Sequence, residues 1–505
     1  MDEMNFDNIG ENIIGNTEQP SGEPAAETTL DNTSKIPRPA NPRRRKKSQL
    51  QIFKESYLPL IIAGVALLLI VIFIIGSIVR AVKKHNVEKE ASIAASSSLA
   101  AEQAALEAEA QQLLSIAAQQ AAGYDFAGAI ATIDSFSGDI AAYEELMTKR
   151  AEYTEAQRTL TAWTDPSDVT NLSFHPLVAD PARAYADEEW SGSYEENFVT
   201  VTEFQNILQQ LYDNGYMLVS LDDFITTTTL ADGTVSYEAK TLYLPTGKKP
   251  LMITQTHCNY YTYMVDSDED GFADAGGSGF ASRLVVGSDG KLTNEMIDAQ
   301  GNTVTGAYDL VPILDAFIET HPDFSFSGAK ATLAFTGYDG IFGYRTSSSA
   351  KETLDEAAYN AELQGAATVI NALRSSGYTF ACYTYNNIGY GESTSDVIQE
   401  DLTNWANEVA PLVGSTDIMV YAQGSDIADS GAYSGELYEV LKAAGYKYFL
   451  GFCTDGNGWV FTDVGYARQG RIPVTGGNLI NNPTWFAGMF DTDTVLDAAR
   501  SSAAE

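Results

Sequence analysis

VTEFQNILQQLYDNGYMLVSLDD (201–223) is the stretch whose reading decides the fold. Thr202 is placed to cap a helix, Gln205 to complete a capping box, and Phe204, Ile207, Leu208 and Leu211 recur on one helical face. Gly215 then stops the helix, and YMLVSL reads as a strand. The wording returns twice. Leu363, Ala367, Ile370 and Leu373 lead to Gly377 and the strand YTFAC, and Leu437, Val440 and Leu441 lead to Gly445 and the strand YKYFLGFC. PLMIT (250–254), ATLAFTG (331–337) and DIMVY (417–421) are further short apolar strands. Strands of this kind between amphipathic helices predict parallel βα units. Residues 164–505 hold no Pro/Gly/Ser-rich linker, so one α/β barrel is expected rather than two open sheets. In such a barrel the residues just past the strand ends share one mouth, here Gln255–Cys258, Cys382–Asn387, Tyr421–Asp426 and Cys453–Asp455.

Outward from the barrel, the run Leu58–Val79 has no formal charge and is mostly Leu, Ile and Val, long enough to cross a bilayer. The preceding flank carries Lys35, Arg38, Arg43, Arg44, Arg45, Lys46, Lys47 and Lys54. The following one has only Arg80, Lys83, Lys84 and Lys89, interrupted by Glu88 and Glu90. The heavier basic flank stays in the cytoplasm, so the expected arrangement is single-pass, with the C-terminal part outside the cell. Residues 1–57 then form a disordered cytoplasmic tail with a basic juxtamembrane run, 58–79 the transmembrane helix and 80–163 an extracellular helical stalk. The stalk starts Ala-, Glu- and Gln-rich, with Leu99, Leu106 and Leu113 at coiled-coil spacing, which leaves oligomerisation open. Gly123 breaks it, and Phe126, Ile130 and Ile133 begin a second helical pattern.

Charge excludes one class of partner. The 505 residues carry a formal net charge of −38, against a basic face for nucleic acid. Eleven of the 30 basic residues and nine of the 68 acids precede position 86, so the outer portion is more negative still. It would repel an anionic polymer unless cations intervene. Three cysteines make neither a disulfide scaffold nor a zinc-finger pattern.

FHPLVAD (174–180), KPLMIT (249–254), GAKATLAFTGYDGIFGYRT (328–346), SSGYTFACYTYNNIG (375–389), TDIMVYAQGSDI (416–427) and RQGRI (468–472) together resemble the polysaccharide deacetylase (NodB homology) family, in its membrane-anchored Gram-positive variety. The resemblance covers about residues 170–500 and implies that family's distorted (β/α) barrel. It also implies metal-assisted removal of acetyl groups from N-acetylated sugars by an Asp base, with an Asp and two His on a zinc-like ion. The residues in those places differ. Thr256 holds the base position, and His257, Tyr383 and Asn387 hold the ligand positions. Thr has no useful pKa near neutrality, and phenol and amide are poor zinc ligands. The resemblance therefore implies the fold and argues against the hydrolysis.

A replacement centre could draw on His257, Cys258, Cys382, Cys453 and Asp455, all at strand ends on the same mouth. Buried core cysteines and a Cys258–Cys382 disulfide are the competing readings, the core reading first. DSDEDG (266–271) places Asp266, Asp268, Asp270 and Asp274 like the start of a calcium loop, but Gly277 stands where a bidentate Glu belongs. A solvated acidic loop competes with weak calcium binding. His175 and His321 each precede proline and read as packing or turn residues. NYYTYM (259–264) and YTYNN (383–387) bring aromatics beside the mouth, either as rim packing or as stacking platforms for sugar rings.

The expectation is a membrane-tethered deacetylase-like protein, impaired as a hydrolase, that binds or scaffolds cell-surface polysaccharide or peptidoglycan. An active deacetylase with a rearranged centre, and a surface sensor or protein-binding domain, are the alternatives. Alkaline carbonate washing of membranes is expected to leave the chain in the pellet. Leu68→Lys, Val71→Lys and Ile74→Lys together, each costing about 2.5–3.5 kcal/mol near the bilayer centre, should release it to the supernatant.

Overall fold

The computed structural model describes residues 58–186, 190–264, 279–428 and 431–500. The N-terminal tail and the candidate calcium loop with Asp266, Asp268, Asp270 and Asp274 lie outside the described residues. The chain divides into two compact units, 1–97 and 98–505. Helix α1 (Leu58–Ala122) has 65 residues. In the first unit its large apolar side chains from Ile62 to Val79 are exposed, and the helix is long and apolar enough to cross a membrane.

The second unit begins with a small helical layer. Gly123 ends α1, and α2 (Phe126–Asp134) and α3 (Glu144–Arg158) fold back on its last turns. Ala110, Ala117, Ala129, Ile133, Phe136 and Leu146 form their shared core. Gly123 is required where it stands, because a Cβ there would lie 2.8 Å from the Ser325 carbonyl oxygen. Its own carbonyl accepts from the Ser327 N–H at 2.9 Å, which seats this layer on the rest of the unit.

Seven parallel strands make the barrel. They are β1 (Thr170–Phe174), β2 (Lys249–Gln255), β3 (Thr332–Phe335), β4 (Thr379–Cys382), β5 (Ile418–Val420), β6 (Tyr448–Phe452) and β7 (Tyr466–Pro473). Each pairs with the next in chain order, and β7 returns to β1 through Ile472↔Leu172. The ring is therefore closed, and it is the distorted (β/α) barrel expected. Closure removes every edge from the ring itself. The strand YMLVSL contributes Tyr216–Leu218, which pairs with β2 from outside the ring.

Helix α4 (Val201–Asp213) buries Phe204, Ile207, Leu208 and Leu211, the face read from the sequence. Its cap lies two residues earlier than Thr202 and Gln205, which are both exposed. Thr200 and Glu203 form the reciprocal box, at 3.1 Å and 2.8 Å. The reason is tertiary: Glu203 is fully buried and pairs with Arg500, so the helix start is anchored to the far end of the chain.

A second buried carboxylate positions the mouth. Asp309, just before α5 (Leu310–Thr320), accepts from the Leu177 N–H at 2.9 Å and from Gln255 Nε2 at 2.9 Å, and also from Tyr260 Oη. It thus joins the loop after β1, the end of β2 and the loop that follows. Burial holds its carboxyl above the usual carboxylate range, although these donors oppose the shift. Asp309→Ala strands three donors and should cost about 3–5 kcal/mol in urea unfolding. The raised pKa means that this group's contribution is complete below about pH 4 and is lost as pH rises through the folded value, a slope that Asp309→Asn should abolish.

Candidate functional site

The mouth is built from loops held in costly backbone conformations. His257 (φ 55°), Tyr260 (φ 52°), Thr384 (φ 58°), Asn387 (φ 55°) and Gln423 (φ 56°) all lie in the left-handed region, and all follow β2, β4 or β5. A non-glycine residue there costs about 1–2 kcal/mol, so such a group marks a place where tertiary contacts override local preference. Asn259 supplies one such contact. Its side chain donates to the Thr336 carbonyl at 2.8 Å and accepts from the Thr336 N–H at 3.2 Å, pinning the loop after β2 to that after β3.

Three of the four positions taken from the resemblance sit in contact. Tyr383 lies within hydrogen-bonding reach of Thr256. The Tyr383 and His257 rings are 4.9 Å apart, edge to face. Asn387 joins them through Gln423, whose Nε2 donates to the Asn387 carbonyl at 2.9 Å and whose backbone N–H reaches Tyr383 Oη at 3.4 Å. Among the described residues, the Asn387 Oδ1 itself is buried with no hydrogen-bond partner.

Two further residues complete the site, and sequence reasoning passed over both. His175, read as a packing or turn residue, lies 4.9 Å from His257, ring centre to ring centre. Its Nδ1 donates to the Asn197 carbonyl at 2.9 Å, leaving a lone pair on Nε2. Arg471, within the RQGRI segment, is fully buried inside the barrel. It donates to Ser173 Oγ at 2.7 Å, the Tyr421 carbonyl at 3.0 Å and the Leu450 carbonyl at 3.3 Å. Strict alternation along the strand would have flagged an Arg at an inward position as the one signal available.

Electrostatically the site is neutral groups around one cation. Burial lowers His175 to about 4 and His257 well below its ordinary value, with Arg471 adding to both shifts. Burial also raises the Tyr383 phenol, which Arg471 partly offsets. The guanidinium is lowered to about 10 by burial and stays charged at neutral pH. Rim carboxylates are committed to holding loops. Asp401 accepts from the Asn386 N–H at 2.9 Å and Tyr390 Oη at 2.8 Å, Asp426 pairs with Arg468 at 2.8 Å, and Asp339 accepts from the Thr262 N–H at 2.6 Å.

This donor set does not fit a zinc-like ion. Among the described residues, no group of three or more His, Cys, Asp or Glu could hold a metal. The two imidazoles face a protonated phenol, a hydroxyl and an amide, and a dication would stand within reach of an arginine charge. The cysteines add no thiolate to this set, although Cys258 follows His257 and the Cys453 N–H donates to the Arg471 carbonyl at 2.8 Å. Cys258, Cys382 and Cys453 are free and buried. Burial raises all three thiols, Cys453 to about 12, so none is a thiolate at neutral pH. Asp455 is exposed and held low by its bond to Asn457.

Beside His257 runs a row of stacked rings. Tyr261, whose Oη meets His257 Nδ1 at 2.9 Å, stacks on Tyr338 (5.1 Å, 9°) and on Tyr263 (5.6 Å, 13°). Tyr263 stacks in turn on Trp190 (5.4 Å, 27°), and Tyr338 is 38% exposed. A separate cleft of about 430 Å³, lined by Tyr124, Leu160, Lys240 and Phe326 among others, contains none of the candidate residues.

No family model matches the chain, and no curated protein matches it. Among solved structures, the Streptococcus pyogenes deacetylase PplD in complex with acetate is similar at 12% identity and a TM-score of 0.31, over 64% of this chain and 95% of that one. The likeness is distant, and the barrel here is established by its own strand order and closure.

Asn387 offers a direct test of the strained mouth. Asn387→Gly keeps the carbonyl that Gln423 uses, relieves the left-handed backbone and removes the orphaned Oδ1. It should raise stability by about 1–2 kcal/mol in thermal unfolding.

Proposed function

We propose that this chain is a membrane-tethered surface protein whose barrel mouth binds cell-surface polysaccharide or peptidoglycan and does not hydrolyse it. The observation that carries the reading is the Thr256–Tyr383–His257 cluster beside Arg471. The position that would need a base and a metal holds neutral groups and a fixed cation. General-base hydrolysis needs a group that takes a proton near neutral pH, and the nearby carboxylates are spent on loop contacts. What remains suits recognition. Tyr338, backed by the buried Tyr261 and the half-buried Tyr263 and Trp190, offers an exposed ring face, and amide, hydroxyl and imidazole groups near it can bond sugar hydroxyls. Resemblance to the polysaccharide deacetylases points to N-acetylated glycans as the ligand class. The heavier basic flank before α1 supports an outward-facing barrel.

The test uses the full chain in detergent micelles and chito-oligosaccharide as probe. Calorimetric binding is expected without acetate release and without stoichiometric zinc. Tyr338→Ala should weaken binding about tenfold, the loss of one partly exposed stacking face. Stoichiometric zinc together with acetate release would overturn the reading.

A further inference from the structure

Among the described residues, the other buried arginines have carboxylate partners, and Arg471 does not. Arg468 pairs with Asp426 and Arg500 with Glu203. Arg471 is as deeply buried as either, yet its bonds go to a hydroxyl and two carbonyls, all neutral. Those bonds engage three of its five N–H groups. The guanidinium also lies 4.5 Å over the Phe452 ring. A buried charge without an ionic partner is still costly, commonly by several kcal/mol, and an anion that reaches it recovers much of that cost. Among the described residues, the carboxylates of the mouth loops are already engaged. Asp309, Asp339, Asp401 and Asp426 are each fixed by two or more donors in the loops they hold.

Two groups near this charge are not fully buried. His175 and His257 are partly exposed and both feel the Arg471 charge. In the tautomer in which His257 Nδ1 accepts from Tyr261 Oη, its Nε2 carries the proton and can donate. A planar carboxylate matches a guanidinium and an imidazole edge, and it is small enough for a mouth crowded by rings.

We propose that the barrel mouth is a carboxylate-binding subsite, with Arg471 supplying the charge and His257 a hydrogen-bond donor, for a free small acid or the carboxylate of an acidic sugar. The inference deepens the reading of the mouth as a binding site, and it rests on that reading. It also fits the strongly acidic chain, because a single buried cation then selects a local carboxylate where the wider surface repels polyanions.

Formate and glucuronate are the probes, with formamide and glucose as their uncharged counterparts, titrated into the detergent-solubilised full chain by calorimetry or saturation-transfer NMR. At least one acid should bind about tenfold or more tighter than its neutral counterpart. Formate alone identifies a free acid, and glucuronate a sugar carboxylate. Arg471→Gln should erase the preference. Because that change lies in the core, His257→Gln provides a second variant at a partly exposed position and should reduce the preference severalfold. Lys291→Gln, at an exposed lysine paired with Glu319, should leave it intact. Equal binding of acids and neutral counterparts, or a preference that survives in both folded variants, would overturn the proposal. Chito-oligosaccharide binding without any carboxylate preference would remove this inference alone. Carboxylate binding without chito-oligosaccharide binding would instead remove the N-acetylated glycan.

Discussion

One guanidinium organises the interior of this barrel. Arg471 leaves β7 and bonds to β1 at Ser173, to β6 at Leu450 and to the end of β5 at Tyr421. It ties three points of the ring together from inside, at neutral acceptors. Its charge then sets the character of everything near it. Burial holds the two imidazoles neutral and the Tyr383 phenol protonated, while the charge adds to the first effect, partly offsets the second and disfavours another cation. A site with this centre is poorly suited to Lewis-acid chemistry and well suited to holding something negative or polar.

Around that centre the structure spends conformational energy in a concentrated way. Five left-handed non-glycine residues in the loops after β2, β4 and β5 are a cost paid at one end of the barrel. They persist because Asn259, Asp309 and Asp401 bond the loops to the strands and to each other. Two more such residues, Tyr124 and Ser327, lie where the short helical layer meets the barrel, beside the 2.9 Å Ser327–Gly123 bond. Strain thus occurs at the mouth and at the seat of the helices, both places where backbone approaches something other than its own neighbours.

The three cysteines illustrate how burial overrides side-chain chemistry. Spacing puts them at strand ends, and the fold does bring them to that end of the barrel, but each is surrounded by core residues and kept as a thiol. Cys258 donates to the Gln255 carbonyl at 3.4 Å, a local contact within its own loop. Proximity to a mouth does not make a nucleophile when desolvation keeps the thiolate out of reach.

The periodicity of 201–223, repeated before Gly377 and Gly445, was enough to establish parallel βα units. The reason is that a buried helix face and a β-strand leave different spacings in any sequence. The apolar run at 58–79 was equally legible, because length and absence of charge decide whether a helix can cross a bilayer. Thr256, His257, Tyr383 and Asn387 could be named from strand ends and resemblance, since parallel strands deliver their C-terminal ends to one face. Closure of the ring was not legible in local pattern, because it depends on pairing between β7 and β1, which are far apart in the chain. For the same reason the cap of α4 fell on Thr200 and Glu203, chosen by the distant Arg500, and His175 joined His257 although neither neighbours the other in sequence. Which charged groups find partners is settled only in three dimensions, and that is why Arg471, unremarkable as a letter in RQGRI, becomes the centre of the site.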